Sequence, residues 1–323
     1  MNQIFKWILF IIAIIVLGAI PFISDFFTTM TIRIMYFSLL TISFAFLSSQ
    51  LGLISLAVPA FLGISGYSIA ILETREILFF PYTAIVAIVM VLIVGAIFGV
   101  FVNRSKGIYF IMLTLILGQI VWAIARQWAS VTNGANGIIG ISTPDAMTFI
   151  IGGTEVGFYY ILLITFVVLV GGVLALTRSS FGMKLKGIRE SESRMIMLGY
   201  RVARLKWIAF MISALIAGVS GIFLVYSIGV MHPSSIDLDS AAMVLIAGIF
   251  GGVYSIIGAI LGMSIFQVFE IFLSAYTNRY MIIIGVMFLL VVLYAPKGLM
   301  GLIYKKKHVG ELHERWYSGR RNR

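Results

Sequence analysis

Residues 177–206 read TRSSFGMKLKGIRESESRMIMLGYRVARLK, a polar and strongly basic segment between two long apolar runs. The flanking runs, 158–176 and 206–228, are each roughly twenty residues long, which is the length at which an α-helix crosses a hydrocarbon core of about 30 Å. A polar segment between two such runs predicts a loop on one side of a membrane.

The composition sets the class of protein. The chain has 323 residues, of which 61% are hydrophobic and 11% are charged, and its mean hydropathy is +1.10. Soluble globular domains carry about a quarter of charged residues, so these values predict an all-α polytopic integral membrane protein. The absence of cysteine excludes disulfides, thiol catalysis and thiolate metal sites in this chain.

Hydrophobicity, charge and turn residues together predict about ten transmembrane helices. The first apolar run has no small-residue cleavage site after it, so we interpret it as a retained span rather than a signal peptide. An even number of spans places both termini on one side. The predicted spans are 4–23, 34–49, 53–72, 80–102, 107–125, 158–176, 206–228, 240–251, 254–275 and 280–296.

Lysine and arginine fall almost entirely on one side of these spans. Nineteen of the 23 lie on the side that holds the segment 177–206 and the two termini. Because basic residues accumulate on the cytoplasmic side of membrane proteins, we expect that side to be cytoplasmic. The orientation of the chain in membrane lipid therefore explains its net charge of +11. This charge does not indicate a nucleic-acid partner. We expect a transmembrane domain over 1–303 and a basic cytoplasmic tail over 304–323.

Two stretches, 53–67 and 240–258, predict broken or short spans. A proline removes a helical hydrogen bond and small residues permit close backbone approach. Non-helical backbone at that depth is tolerated only beside protein or a watery cavity, which favours a translocation path, with ordinary small-residue packing as the alternative. The candidate path residues are Ser55, Pro59, Gly63, Gly66, Gly248, Gly251 and Gly252.

Sequence motifs for catalysis and nucleotide binding are absent. The chain has no P-loop and no metal-binding H-E-x-x-H spacing, and its three histidines are too scattered for a metal site. These observations predict neither an enzyme nor a cofactor in this chain. Glu270 is the one strong candidate for a functional charge within a span, and the alternative is that it reaches the membrane interface.

The segment 177–206 can be wound as a short amphipathic helix followed by a turn. On a helical wheel Phe181, Leu185 and Ile188 share one face, the charged residues spread over the remainder, and Glu192 returns to the apolar face. Such a narrow apolar stripe has two interpretations. It lies on lipid headgroups with help from its lysines, or it inserts into a groove of a protein partner.

Three blocks of sequence resemble a known family, the permease subunits of branched-chain amino acid ABC importers, and specifically the longer of the two paired permeases. The resemblance covers about 37–303, and permeases for urea, short amides or nucleosides are similar. The first block is Gly52–Leu56 with Ala60–Tyr67; the second is Tyr109–Leu115, Gly118–Ile120 and Thr132–Ile141; the third is Phe181–Gly182, Gly187–Glu192, Leu198–Tyr200, Ala209–Phe210 and Ser213–Ala214, with Gly251–Gly252 and Ala295–Leu299 further on.

The resemblance implies a multi-pass permease in a bacterial plasma membrane, with both termini cytoplasmic. Its partners would be a second homologous permease, two ABC ATPase subunits that use the ATP, and an extracytoplasmic solute-binding protein. The third block would be the helix that couples the permease to the ATPase. The coupling residues carried over are Phe181, Gly182, Leu185, Gly187, Ile188, Arg189, Glu190, Glu192 and Gly199.

Two outer loops hold candidate residues for the outer mouth or for contact with the binding protein. The Asn-Gly pairs of the first loop are also plain turn chemistry, since they supply left-handed backbone, and the aspartates of the second are otherwise solvated loop charges. These candidates are Asn133, Gly134, Asn136, Gly137, Asp237 and Asp239.

The near absence of fixed charge in the spans fits a small neutral or zwitterionic solute, and the resemblance makes this a branched-chain amino acid. Where the family often has a Gly-His-Ala-like stretch this chain has Ala57-Val58-Pro59, and it has Ser191 where an asparagine is usual. Urea, amides or nucleosides therefore stay open as solutes. An ion-coupled secondary transporter or channel and a membrane-embedded enzyme are the alternatives from other classes.

Overall fold

The computed structural model describes residues 17–289 except 23, 145, 146, 149, 152, 153, 278, 280, 287 and 288. The predicted tail over 304–323 lies outside the described residues. So do most of the first predicted span, 4–23, and much of the last, 280–296, of which residues 281–286 are helical.

Helices make up most of the described chain, and eleven α-helices have the bounds that follow. They are α1 (Asp25–Leu51), α2 (Val58–Thr74), α3 (Tyr82–Val102), α4 (Ile108–Gln127), α5 (Ala129–Thr132), α6 (Gly157–Arg178), α7 (Ser180–Glu190), α8 (Glu192–Met197), α9 (Val202–Ile228), α10 (Leu238–Gly251) and α11 (Ile256–Tyr276). Short 3-10 turns occur at Ile20–Phe22, Gly134–Asn136 and Pro233–Ile236. Four two-residue strands, β1 (Ile138–Ile139), β2 (Ile150–Ile151), β3 (Thr154–Glu155) and β4 (Val230–Met231), pair antiparallel as β1 with β4 and β2 with β3.

The all-α membrane architecture predicted from the sequence is confirmed. Within the described residues six helices, α1, α3, α4, α6, α9 and α11, are long and apolar enough to cross a membrane, and α2 and α10 are shorter apolar helices. The expected count of about ten spans is not confirmed, because these eight elements correspond to predicted spans and the remaining two lie largely outside the described residues.

The helices α1 and α9 form the centre of the bundle. In the most apolar 18-residue window of each, 67% and 78% of residues are buried, against about a third in α3, α6 and α11. Hydroxyl groups join the two helices, since Ser43 Oγ donates to the Ser213 carbonyl at 2.7 Å and Ser213 Oγ donates back to the Ser43 carbonyl at 3.1 Å. Small polar residues of this kind let membrane helices approach closely.

The proline of the third predicted span does not interrupt a helix. The backbone from Gly52 to Ala57 is non-helical, and α2 begins at Val58 with Pro59 in its first turn, where the missing N–H is not needed. The side chain of Thr114 accepts a hydrogen bond from the Leu56 N–H at 3.1 Å. Protein thus satisfies this N–H of the irregular backbone, as membrane depth requires.

The second irregular stretch is a tight helical hairpin, which we call the α10–α11 hairpin. It turns at Gly252, whose φ of +114° favours glycine, and Ser255 Oγ caps α11 by accepting the Gly258 N–H at 3.0 Å. A Cβ on Gly251 would collide with the carbonyl of Gly258, and one on Gly262 with the carbonyl of Ala247. Such close backbone contact predicts that the hairpin moves as a unit.

The helix ends gather at two opposite ends of the bundle. One, called the basic end, holds the turns 103–107 and 252–255 and the segment 178–202. Contacts between them, such as the ion pair of Lys106 Nζ with the Glu192 carboxylate at 3.0 Å, place these segments together. The other, called the opposite end, holds the turns near 75–81, 128–156 and 229–237, joined there by the β1–β4 pairing.

Candidate functional site

The segment from Ser180 to Tyr200, called the α7–α8 segment, forms the short helix and turn expected from the sequence. Ser179 Oγ caps α7 by accepting the Gly182 N–H at 3.4 Å. Ser191 adopts extended backbone (φ −161°), ends α7, and caps α8 through the Arg194 N–H at 3.4 Å. Gly199, with φ +82°, then reverses the chain towards α9.

The apolar stripe of α7 faces its own chain. Leu185 is fully buried and Ile188 is 5% exposed, while Phe181 is half-buried and also packs against the core. The stripe is therefore used for intramolecular packing. Leu185 and Ile188 are therefore closed to both partners expected from the helical wheel, lipid headgroups and a groove in another protein.

Two glycines hold the α7–α8 segment close to the bundle and close to itself. A Cβ on Gly182 would lie 2.5 Å from the Leu176 carbonyl oxygen, and one on Gly187 would lie 2.8 Å from Met195 Sδ. Both distances are shorter than ordinary van der Waals contact. The first glycine lets α7 fold back on the end of α6, and the second lets α8 pack on α7.

Glu192 ties the segment to two neighbouring elements. Its carboxylate pairs with Lys206 Nζ of α9 at 2.9 Å and with Lys106 Nζ of the α3–α4 turn at 3.0 Å, and the Lys206 side chain is only 8% exposed. The wheel placement of Glu192 on the apolar stripe is wrong because the break at Ser191 starts a new helix. Burial alone would raise the pKa of the Glu192 carboxyl, but hydrogen bonds from Lys206 and Lys106 outweigh it and lower that pKa.

Arg189 ties the segment to the end of α1. Its Nη1 donates to the Ser49 carbonyl at 2.8 Å, and its aliphatic stem lies over Gly52, the left-handed residue that ends α1. The last carbonyls of a helix lack intrahelical partners and carry partial negative charge, so a guanidinium there is stabilising. The same guanidinium lies 4.2 Å from the ring centre of Tyr254, in the turn of the α10–α11 hairpin.

The outer surface of the α7–α8 segment carries exposed apolar side chains beside exposed charged ones. The exposed apolar residues of this segment are called the apolar crest. Their exposure contrasts with the burial of the apolar stripe of α7. Sequence reasoning missed the crest as a surface, although the four consecutive apolar residues Met195–Leu198 inside a polar segment were a signal for it. The crest consists of Met183, Ile196, Met197, Leu198 and Tyr200, which are 63%, 57%, 85%, 71% and 40% exposed.

The remaining coupling candidate, Glu190, is exposed at the end of α7. Among the described residues it forms no ion pair. The candidates from the sequence therefore divide into groups with different surroundings. Gly182, Leu185, Gly187, Ile188, Arg189 and Glu192 attach the segment to the bundle, whereas Glu190 faces outward beside the crest.

The path candidates of the two irregular stretches meet through close packing. A Cβ on Gly63 would collide with Ile236, in the 3-10 turn directly before α10, and one on Gly66 would lie 2.6 Å from Met231 Sδ. Gly248 packs in the same way on Phe44, and Gly251 and Gly252 belong to the hairpin described above. Ser55 and Pro59 are buried. The structure thus brings α2 beside the start of α10, and the lining of a path stays a prediction.

The candidates at the opposite end mostly have structural contacts. Asn133 and Gly134 are left-handed (φ +61° and +62°), as Asn-Gly turn chemistry predicts, and Asn133 Nδ2 donates to the Gly137 carbonyl at 3.0 Å. Asp237 caps α10 by accepting the Ser240 N–H at 2.9 Å. Asn133, Asn136 and Asp239 are exposed, and Asn133 is the one of these three that the Gly137 carbonyl binds.

The candidate intramembrane charge, Glu270, has a partner in α1. Its carboxylate accepts from Arg33 at 2.9 Å, with the two side chains 19% and 39% exposed. Pairing reduces the cost of holding either charge within a span. In the part of the chain that the structure describes, no group of three or more His, Asp or Glu side chains is placed to hold a metal ion.

Comparison with known proteins identifies related transporters. The profile of the family described as "Branched-chain amino acid transport system / permease component" matches residues 26–292. The high-affinity branched-chain amino acid transport system permease protein LivM of Escherichia coli (strain K12) is 28% identical over 271 residues, which are 77% of this chain and 64% of that relative. The chain thus spans less than two thirds of that relative's length.

Two further relatives indicate how wide the similarity is. The probable branched-chain amino acid transport permease protein LivM of Methanocaldococcus jannaschii is 23% identical over 67% of this chain and 66% of its own length. The xylose transport system permease protein XylH of Escherichia coli (strain K12) is 33% identical over 32% of this chain and 27% of its own. No solved structure matches the chain.

Proposed function

This chain belongs to the family of branched-chain amino acid transport system permeases, and from that premise we propose that it is a transmembrane subunit of an ATP-driven importer for leucine, isoleucine and valine. As a multi-pass membrane protein it would lie in a bacterial inner membrane with the basic end and both termini in the cytoplasm. The clustering of basic residues at one end of the bundle supports this orientation.

The observation that carries the proposal is the apolar crest. Large exposed apolar residues outside the membrane spans mark protein interaction sites, and these lie on a segment that is fastened to the bundle by Glu192 and Arg189. We infer that the crest docks on an ABC ATPase subunit, which binds and hydrolyses the ATP. The chain itself has no nucleotide-binding motif.

The ion pairs and the hydrogen bond that attach the α7–α8 segment to the bundle suggest how movement of the ATPase would be transmitted to the spans. Glu192 connects α8 to α9 and to the α3–α4 turn through two lysines, and Arg189 connects α7 to α1. A displacement of the crest would therefore act on helices that meet at the centre of the bundle. This arrangement requires no titratable group to change its charge.

The solute and the remaining partners are proposed from the family. A second homologous permease would complete the path, with α2 and the α10–α11 hairpin contributing to it, and a solute-binding protein would dock at the opposite end, near Asn136 and Asp239. The one ion pair found within the described spans, Arg33 with Glu270, is internally balanced. Spans with little unpaired charge suit a zwitterionic or neutral solute.

A sugar is the second candidate solute, and the similarity to the xylose permease XylH supports it. That similarity covers about a third of this chain, whereas the similarity to LivM covers about three quarters. We therefore rank a branched-chain amino acid first.

Purification of the tagged chain from its native membrane in mild detergent tests the proposal, with partners identified by mass spectrometry and the complex reconstituted into vesicles. We expect a P-loop ATPase, a homologous permease, and uptake of leucine that requires ATP and exceeds uptake of xylose or urea. Repeated recovery of the chain alone after cross-linking, with uptake that follows an ion gradient, would overturn it in favour of a secondary transporter.

A further inference from the structure

Arg189 is shared between three elements of the basic end. Its guanidinium donates to the Ser49 carbonyl at the end of α1 and lies 4.2 Å from the ring centre of Tyr254, which is 66% exposed. Arginine stacked on an aromatic ring combines a planar contact with cation–π attraction. Tyr254 is thus the point at which the α7–α8 segment touches the turn of the α10–α11 hairpin.

The turn is also attached to α1 directly. Ser48 Oγ donates to the Val253 carbonyl at 2.9 Å, one residue before Tyr254. Among the described residues, the turn is thus attached both to α1 of the bundle core and to the α7–α8 segment. The second is made by two exposed side chains and can be broken and remade without disturbing buried residues.

The hairpin extends from this turn across the bundle. Backbone contacts between Gly251 and Gly258 and between Gly262 and Ala247 lock its two helices together. At the other end of α10, Ile236 packs directly on Gly63 of α2. A displacement of Tyr254 would thus be transmitted to α2, because the close packing of the two hairpin helices prevents the hairpin from bending internally.

We propose that Tyr254 is a positioning residue through which Arg189 moves the α10–α11 hairpin against α2 during transport. The proposal rests on the function proposed above and adds the element that receives the movement. Glu192 and its two lysines connect the segment to α9 and to the α3–α4 turn, and the Arg189–Tyr254 stack adds a connection to the hairpin.

The test compares Tyr254→Leu with Tyr254→Phe in the complete reconstituted complex, with Tyr109→Leu as the matched control. Tyr109 is 78% exposed at the start of α4, at the basic end, and is remote in sequence from both partners. For Tyr254→Leu we expect leucine uptake per ATP hydrolysed to fall about two- to fivefold, the range that an exposed cation–π contact supports. Tyr254→Phe keeps the ring and should preserve the ratio, as should Tyr109→Leu.

If Tyr254 had a merely structural role, Tyr254→Leu would lower the amount of assembled complex. Leucine uptake per ATP hydrolysed would then be unchanged for the complex that does assemble. ATPase recovery should therefore be equal for all variants. The double variant Arg189→Ala/Tyr254→Leu should be no worse than the poorer single one, since both changes remove the same contact. An unchanged ratio in Tyr254→Leu, additive effects in the double variant, or loss of the ATPase from Tyr254→Leu would each overturn the proposal.

A second readout does not depend on the solute. Because the chain contains no cysteine, Ile257→Cys, exposed in the first turn of α11, gives this chain a unique thiol. We expect its maleimide labelling rate to change on ATP addition, and the change to disappear with Tyr254→Leu. If leucine is not transported but this response is present, the solute assignment fails and the role of Tyr254 stands; an identical response with and without Tyr254→Leu refutes the role.

Discussion

The two ends of the bundle are held together by different interactions. At the basic end, charged side chains reach across gaps between elements, as Glu192 does to Lys106 and Lys206. At the opposite end, Gly137 packs against the Met231 backbone beside the β1–β4 pairing. Long side chains tolerate small displacements, whereas backbone contacts through glycine do not. We therefore expect the contacts of Glu192 to accommodate a small displacement more readily than the contact of Gly137.

The largest effect on stability is expected from filling a glycine contact at the opposite end. A Cβ on Gly137, at φ +71°, would lie 2.5 Å from the Met231 carbonyl oxygen, so Gly137→Ala combines left-handed strain with overpacking and should destabilise the chain by about 2–4 kcal/mol. Thermal unfolding in detergent measures this change.

Gly199→Ala is the matched variant at the basic end. Gly199 has a similar φ of +82°, but no described atom lies within 4 Å of its Cβ position. Gly199→Ala should therefore lower the free energy of unfolding only by the strain of a left-handed alanine, about 1 kcal/mol. Equal losses in the free energy of unfolding for Gly137→Ala and Gly199→Ala would contradict this contrast between the two ends.

The next largest effect is expected from Glu192→Gln. The change leaves the ammonium of Lys206, 8% exposed, without its counter-charge, which costs about 3–5 kcal/mol for a fully buried pair. Because the Glu192 side chain is 23% exposed, we expect about 2–3 kcal/mol after allowance for solvent screening.

Two variants sharpen this result. Glu190→Gln, on an exposed glutamate two residues away, should change the free energy of unfolding by less than about 0.5 kcal/mol. Adding Lys206→Met to Glu192→Gln should recover part of the loss, because the unpaired ammonium is then removed. If Glu190→Gln and Glu192→Gln proved equally harmful, the ion pairs would not be what holds the segment.

The contribution of Glu192 to stability should depend on pH. Its folded-state pKa is lowered from the usual 4.5, so this stabilisation is complete above pH 4.5 and is lost as the pH falls through the lowered pKa. The difference in unfolding temperature between the parent chain and Glu192→Gln should accordingly shrink as the pH falls from neutral to below that pKa. A difference that grows on acidification would have the wrong sign.

The smallest effect on stability is expected at the apolar crest. Met197 is 85% exposed, so Met197→Asp should change the free energy of unfolding by no more than about 0.5 kcal/mol. Recovery of the ATPase with this variant should nevertheless fall about tenfold, as for a residue that contributes 1.4 kcal/mol to an interface. Normal recovery of the ATPase with Met197→Asp would place the docking site elsewhere.

Apolar periodicity predicted the fold class and eight of the described apolar helices, because hydrophobic runs report burial in lipid directly. It also predicted helix α7. It failed at Ser191, since a helical wheel assumes one continuous helix and a serine that caps the following helix breaks that assumption. The count of spans depends on residues at both ends of the chain that lie outside the described part.

The partners of the charged side chains were not predictable. Lys106 and Glu192 come from different loops, and Arg33 and Glu270 are separated by 237 positions, so only the packing of helices brings them together. The stack of Arg189 on Tyr254 is of the same kind. The Asn133–Gly137 turn, by contrast, was visible because its residues favour left-handed backbone wherever they occur.

Site-specific cross-linking tests most directly the claim that the α7–α8 segment carries the ATPase-docking surface. A photoactivatable reagent attached to Met197→Cys, the one cysteine of this chain, is activated in native membranes, with Phe79→Cys, 62% exposed at the opposite end, as the control. We expect an adduct with a P-loop ATPase from Met197→Cys and none from Phe79→Cys. An ATPase adduct from Phe79→Cys, or none from Met197→Cys in membranes where the ATPase co-purifies with the chain, would contradict it.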